Sequence, residues 1–87
     1  MKLYDEIEKI FPRMEKLLSE KDLTAFRNTS IPNLCAYHFD MGMWIRNNLL
    51  YPRESALRKL FIDNGIDDPD EMSSIIIRLF HFYVSRS

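Results

Sequence analysis

The sequence predicts an all-α protein, a compact bundle of four to five helices in a single domain over residues 1–87. Apolar residues recur at spacings of three and four through most of the chain, which is the period of a helix face. Val, Ile and Thr never alternate with polar residues over the length of a strand, and two glycines are too few for a set of hairpins. The 87 residues, of which 46% are hydrophobic, suffice for one core.

The first helix is predicted over Lys2–Ser19, with a kink at Pro12. Its apolar stripe consists of Leu3, Ile7, Ile10, Phe11, Met14, Leu17 and Leu18. Because Pro12 has no N–H, it removes the hydrogen bond to the carbonyl of Glu8 and bends a continuous helix. The stripe keeps its phase across Pro12, which favours one kinked helix. The alternative ends a first helix at Ile10 and starts a second helix with Pro12 as its first residue.

Shorter elements are predicted in the middle of the chain. Ser19 is a suitable N-cap for a short helix that ends near residue 28. A loop is expected over residues 28–33, because its polar side chains compete with the backbone and Pro32 restrains the residue before it. Helical periodicity then returns from about residue 37 to residue 50.

The last two helices have clear boundary signals. A compact helix from residue 54 or 55 to residue 64 ends at Gly65, which is able to take a left-handed conformation. The final helix starts with Asp68 as N-cap and Pro69 in the first position, and it runs to about Val84. Apolar residues cover well over half of its circumference. This helix is therefore either central in the bundle or packed on one side against a partner.

Charge and cysteine content exclude several classes of protein. Twelve basic and 13 acidic residues are evenly spread, which argues against broad binding to the phosphate backbone of nucleic acids. Cys35 is the one cysteine, so no intrachain disulfide forms and a cytoplasmic location is expected. The first residues intersperse charges among apolar residues, unlike a signal peptide. Apolar runs are far shorter than the ~18 residues of a membrane span, so no membrane association is expected.

Two sequence blocks and several single residues form a recognisable pattern. The pattern comprises His38-Phe39, Gly42, Trp44-Ile45-Arg46-Asn47-Asn48-Leu49, Phe61, Gly65-Ile66 and Pro69-Asp70-Glu71-Met72-Ser73-Ser74-Ile75-Ile76. It resembles the pattern shared by a family of small uncharacterised bacterial helical domains, a domain of unknown function, over about half of the chain. The resemblance implies a bacterial origin and a small, mainly helical, soluble domain. It implies no activity, ligand or catalytic residue.

A set of polar residues around the predicted third helix is the most informative candidate site. Its members are His38, Trp44, Arg46, Asn47, Asn48, Asp70 and Ser73. Asn48 falls on the apolar face of its helix, and burying its amide costs about 1–3 kcal/mol unless it is hydrogen-bonded. In a structural interpretation, Arg46 and the asparagines tie this helix to the start of the last one. In a functional interpretation, they form the floor of a pocket for an anionic group.

No catalytic, metal or cofactor site is predicted. His38 and Asp40 diverge on a helix, and His81 is distant in sequence, so an enzyme would need these three groups to be assembled by the fold. Cys35 has no activating group nearby in sequence beyond His38. The acidic residues between 63 and 71 do not fit an EF-hand loop, whose first ligand position would fall on an apolar residue. Helix capping explains them better.

These observations favour a non-catalytic protein-interaction or regulatory module that binds another protein or itself. This hypothesis is based on the wide apolar surface of the last helix. The expected contact residues, where the core leaves them uncovered, are Ile77, Phe80 and Val84. Nucleic acid is not an expected partner on charge grounds. The alternative hypothesis is a binder of a small anionic ligand or nucleic acid through Arg46, Asn47 and Arg53.

Overall fold

A computed structural model describes residues 2–86 of the chain, and all regular structure within them is helical. The elements are α1 (Lys2–Glu8), α2 (Phe11–Leu17), α3 (Glu20–Arg27), a 3₁₀ helix (Ile31–Tyr37), α4 (Asp40–Ile45), a π turn (Arg46–Leu50), α5 (Ala56–Asp63) and α6 (Pro69–Ser85). The all-α class is therefore confirmed. The described residues form six α-helices rather than four or five, because the predicted first helix is divided into α1 and α2.

The predicted continuous helix over Lys2–Ser19 is two helices, so the kink at Pro12 is replaced by a break. The amide of Ile10 bonds the carbonyl of Ile7 at 3.0 Å and closes α1, and Pro12 lies in the first turn of α2. A proline in a first turn needs no N–H partner, whereas within a helix it deletes a bond and clashes with the preceding turn. The predicted apolar stripe still faces the core, where Ile7 and Phe11 are buried.

Part of the predicted loop over residues 28–33 is the start of the 3₁₀ helix. Ser19 caps α3 as expected, accepting a hydrogen bond from the amide of Asp22 at 3.1 Å. After a short turn, Pro32 enters the first turn of the 3₁₀ helix, where its fixed φ is suitable. Leu34 is buried and holds this helix against α6. Tertiary packing thus converts a polar, proline-containing segment into a regular element.

The predicted helix over residues 37–50 starts later, at Asp40, and widens into a π turn. The amide of Tyr51 bonds the carbonyl of Arg46 at 2.8 Å, five residues earlier. On an ideal α-helix, residues five apart point about 140° away from each other. The wider turn instead lets both Ile45 and Leu50 reach the core, where each is fully buried.

The boundaries of α5 and α6 follow their local signals. Ser55 caps α5 by accepting a hydrogen bond from the amide of Arg58 at 3.0 Å. Gly65 follows α5 with φ of 84°, the left-handed value expected of it. Asp68 caps α6 by accepting from the amide of Asp70 at 3.1 Å. The predicted start of the last helix is therefore confirmed.

The core forms around α6, which packs against α3, α4, α5 and the 3₁₀ helix. Phe80 lies at its centre, with ring centroids 5.7 Å from Phe11 and 5.3 Å from Phe26. The ring of Tyr83 packs against that of Phe11 in a tilted arrangement, with centroids 4.8 Å apart. The charge of Glu15 raises the pKa of Tyr83 by repelling the phenolate. These aromatic contacts join α2 and α3 to α6.

The core covers all three residues expected to form a contact surface on α6. Ile77, Phe80 and Val84 are 2%, 0% and 1% exposed. The apolar surface of α6 is wide because the helix is central and is surrounded by other helices of the bundle. A contact surface on α6 therefore has to be made by other side chains.

Candidate functional site

Arg46, Asp70 and Ser73 form a polar cluster where the π turn meets the start of α6. Arg46 Nη1 donates to Ser73 Oγ at 3.0 Å, and the Ser73 hydroxyl donates to the Asp70 carbonyl at 3.0 Å. Arg46 Nε lies 3.6 Å from Asp70 Oδ1. Ser73 is fully buried and the Arg46 side chain is 15% exposed, so both polar groups need a partner within the protein. This geometry ties the π turn to α6.

Gly42 makes room for the guanidinium of this cluster. A Cβ placed on Gly42 would lie 2.9 Å from Arg46 Nη1 and 3.7 Å from Ser73 Oγ. The residue is buried within α4, where glycine costs roughly 1 kcal/mol relative to alanine. The close approach of Arg46 accounts for a glycine at a position that its helix would otherwise disfavour.

Gly42→Ala should therefore have opposite effects with and without Arg46. With Arg46 present, the new methyl group displaces the guanidinium from Ser73, and this loss offsets the gain in helix propensity. In an Arg46→Ala background, the same substitution should stabilise the domain by about 0.5–1 kcal/mol. Urea unfolding of the four proteins measures the difference, which we expect to be at least about 1 kcal/mol. Equal effects on the free energy of unfolding in both backgrounds would mean that Gly42 is not coupled to Arg46.

The structure does not bring the other predicted polar residues into this cluster. Asn47 and Asn48 are exposed, and Asn48 Nδ2 donates to the carbonyl of Trp44 at 2.9 Å within its own helix. The prediction that Asn48 is buried and needs a distant partner is wrong. Trp44 is half-buried, with the guanidinium of Arg13 over its ring at 5.9 Å. His38 lies instead in a surface groove described below.

His81 and Cys35 differ in their exposure and in their contacts. The ring of His81 meets the ring of Phe26 edge-on at 5.4 Å, and its Nε2 is buried without a hydrogen-bond partner. Cys35 is exposed, with its thiol donating to the carbonyl of Pro32 at 3.6 Å. Within residues 2–86, no three His, Cys, Asp or Glu side chains are grouped so that they could hold a metal ion.

A groove, here called the α6 groove, lies between the 3₁₀ helix and α6. It consists of one cavity of about 470 Å³ and one of about 240 Å³. Both cavities have Ile31, Leu34 and Arg78 in their walls, so they adjoin along α6 and are treated together as one groove. The lining residues are Ile31, Pro32, Leu34, Cys35, His38, Ser74, Ile77, Arg78, His81, Phe82 and Ser85.

The α6 groove has an apolar floor, exposed apolar walls and a positive charge. Leu34 and Ile77 are nearly covered, whereas Ile31 is 59% exposed and Phe82 is 56% exposed. Arg78 supplies a full positive charge, and no Asp or Glu is among the lining residues. Helical periodicity contains no signal for the groove, which exists because the 3₁₀ helix packs beside α6.

Together, the fold and the α6 groove define a small all-helical domain whose central helix contributes to an apolar, positively charged surface groove. The chain belongs to the family described as domain of unknown function DUF6794, which matches residues 5–84. The resemblance to a domain of unknown function is thereby confirmed. Comparison with curated proteins and with solved structures gave no match. None of the helices in residues 2–86 has both the length and the apolar character needed to cross a bilayer.

Proposed function

We propose that this domain is a non-catalytic protein-interaction module of the bacterial cytoplasm that binds an amphipathic helix with acidic flanks in the α6 groove. The observation that carries the proposal is the combination of exposed Ile31 and Phe82 with Arg78 in one groove that has no acidic lining residue. The exposed thiol of Cys35 fits a reducing compartment.

The length of the groove suits a helix. Its lining residues on α6 run from Ser74 to Ser85, a distance of about 16 Å at ~1.5 Å per residue. This length accommodates about three turns of a partner helix, with apolar anchors at positions i, i+3 or i+4, and i+7. Phe82 and Ile31 would pack against these anchors, because large apolar side chains on the walls of a groove supply most of the binding energy in such interfaces.

The charge of the groove selects the partner. The guanidinium of Arg78 is able to pair with a carboxylate through two parallel hydrogen bonds, which a partner helix with Glu or Asp beside its apolar face would supply. Binding should weaken with added salt, since Arg78 is exposed.

Two synthetic helical peptides test the proposal by isothermal titration calorimetry. Both carry leucines at i, i+3 and i+7; one has glutamates beside them and the other has lysines in the same places. We expect the glutamate peptide to bind, and Arg78→Glu or Phe82→Ala to weaken its binding about tenfold or more. The matched controls are Arg53→Glu and Phe39→Ala, since both residues are exposed and lie outside the groove lining.

Two results would overturn the acidic helix as occupant. The first is binding of the lysine peptide as tight as that of the glutamate peptide, or binding that the groove variants do not change. The second comes from sedimentation of the domain alone, where a dimer that Arg78→Glu dissociates would make a second copy the occupant of the groove.

The alternative function, binding of an anionic ligand or nucleic acid through Arg46, Asn47 and Arg53, has less support. Arg46 already uses Nη1 and Nε on Ser73 and Asp70, and its side chain is 15% exposed. Asn47 and Arg53 are exposed, and Arg53 belongs to the turn after Leu50, outside the cluster that holds Arg46. Loss of phosphate binding in Arg46→Ala without loss of stability would favour this alternative.

A further inference from the structure

A second cavity lies between α2, α3 and the start of α4, and its charge is opposite to that of the α6 groove. Its volume is about 400 Å³, within the range of about 300–1,000 Å³ that is usual for sites of small ligands. The side chains that matter for its chemistry are Met14, Leu17, Asp22, Tyr37, Asp40 and Met41. It shares no lining residue with the α6 groove, so its ligand is a question separate from the proposed function.

The walls of this cavity are apolar and adaptable. Met14 forms part of the core and is 1% exposed, whereas Leu17 is 53% exposed at the same site. Met14 and Met41 have flexible, polarisable side chains that adjust to the shape of a ligand and make favourable contacts with aromatic rings. The ring of Tyr37 is held edge-on against Phe26 at 4.9 Å. The cavity therefore combines a fixed aromatic ring with adjustable thioethers.

The two charged groups of the cavity are both carboxylates. Asp22 lies in the first turn of α3 and Asp40 in the first turn of α4, so the packing of two helices brings them to one cavity. The lining contains no Lys, Arg or His to neutralise them. A ligand with a positive charge is favoured beside such a pair. Tyr37 lines the same cavity with an aromatic ring, a group that attracts cations.

We infer that this cavity is a binding site for a small organic cation with an apolar body, such as an arylalkylamine. The ammonium group pairs with Asp22 and Asp40, and the apolar body lies against Met14, Tyr37 and Met41. Neither an inorganic cation nor a neutral apolar molecule contacts both the carboxylates and the apolar walls of the cavity. An inorganic ion leaves the apolar walls unfilled, and a neutral molecule leaves the carboxylates without a partner.

Phenethylamine and its neutral analogue 2-phenylethanol are the probes that test this inference. NMR of the methionine methyl groups follows binding directly, because Met14 and Met41 both line the cavity. We expect saturable shifts of both methyl signals with the amine, and an affinity at least tenfold lower for the alcohol. Added salt should weaken the binding of the amine, because the carboxylates are exposed.

A matched pair of variants isolates the role of the carboxylates. Asp22→Asn should weaken amine binding about three- to tenfold, and Asp40→Asn should do the same. Glu20→Gln is the control, since Glu20 lies in the same first turn of α3 but does not line the cavity. Thermal melts of each variant verify that the fold is intact.

Three outcomes would overturn the inference. They are the absence of saturable shifts at the two methionines, equal binding of amine and alcohol, and a loss of affinity in Glu20→Gln as large as that in Asp22→Asn. Each of these leaves the proposed function of the α6 groove untouched, because the peptide titration uses a different surface and different variants.

Discussion

Phe80→Ala should destabilise the domain by about 3–5 kcal/mol, a large fraction of its stability. Phe80 is fully buried, and its ring packs between those of Phe11 and Phe26 at 5.7 Å and 5.3 Å. An 87-residue domain has roughly 4–13 kcal/mol of stability at ~0.05–0.15 kcal/mol per residue. Removing the central ring leaves a cavity that three helices share. Urea unfolding followed by circular dichroism measures the change.

Phe82→Ala is the matched control on the same helix, two residues away. Because Phe82 is 56% exposed, its truncation should change the free energy of unfolding by less than about 1 kcal/mol. Similar losses for the two variants would show that the α6 groove side of the helix is part of the core, which would contradict both the burial pattern and the proposed function. The pair also makes Phe82→Ala usable in the peptide titration, since it should remain folded.

Arg46→Ala should destabilise the domain by about 1.5–3 kcal/mol, the second largest effect we expect. The charged hydrogen bond from Arg46 to fully buried Ser73 is the main source of this loss. The ion pair with Asp70 adds little, because the Asp70 side chain is 71% exposed and solvent screens it. Arg53→Ala, at an exposed site, should stay within about 0.5 kcal/mol of the wild type.

A double-mutant cycle with Ser73→Ala assigns the loss to the predicted contact. Arg46→Ala should have a smaller effect in the Ser73→Ala background, because the hydrogen bond is already absent there. Additive effects of the two substitutions would mean that Arg46 stabilises the domain through some other contact. If Arg46→Ala left the free energy of unfolding unchanged, Arg46 would have no structural role.

Boundaries that depend on local chemistry could be predicted from the sequence. Asp68 and Pro69 mark the start of α6, Ser19 caps α3 and Gly65 ends α5, because capping and left-handed turns involve only residues near in sequence. The break before Pro12 was the less favoured of two alternatives, since the apolar stripe keeps the same phase in one kinked helix and in two separate ones.

Features that depend on how the helices pack could not be predicted in the same way. The π turn at Arg46–Leu50 has no residue signal of its own, because it results from bringing Ile45 and Leu50 to the core together. Asn48 looked buried on a regular helical period and is exposed. Arg46, Asp70 and Ser73 were predicted as members of one site, and they do meet. The role of Gly42 beside Arg46 could not be predicted, because it depends on how closely the guanidinium approaches α4.

The first five α-helices are short, and this bears on how the domain folds. None of α1 to α5 exceeds eight residues, whereas isolated helices shorter than ~12–15 residues are marginal in water. Among the described elements, only α6, with 17 residues, exceeds that length. Other helices of the bundle pack around it. Synthesis from the N-terminus therefore delivers the five short helices before α6, the helix on which α3, α4 and α5 pack. We expect the domain to fold as one cooperative unit once α6 is present, and not helix by helix.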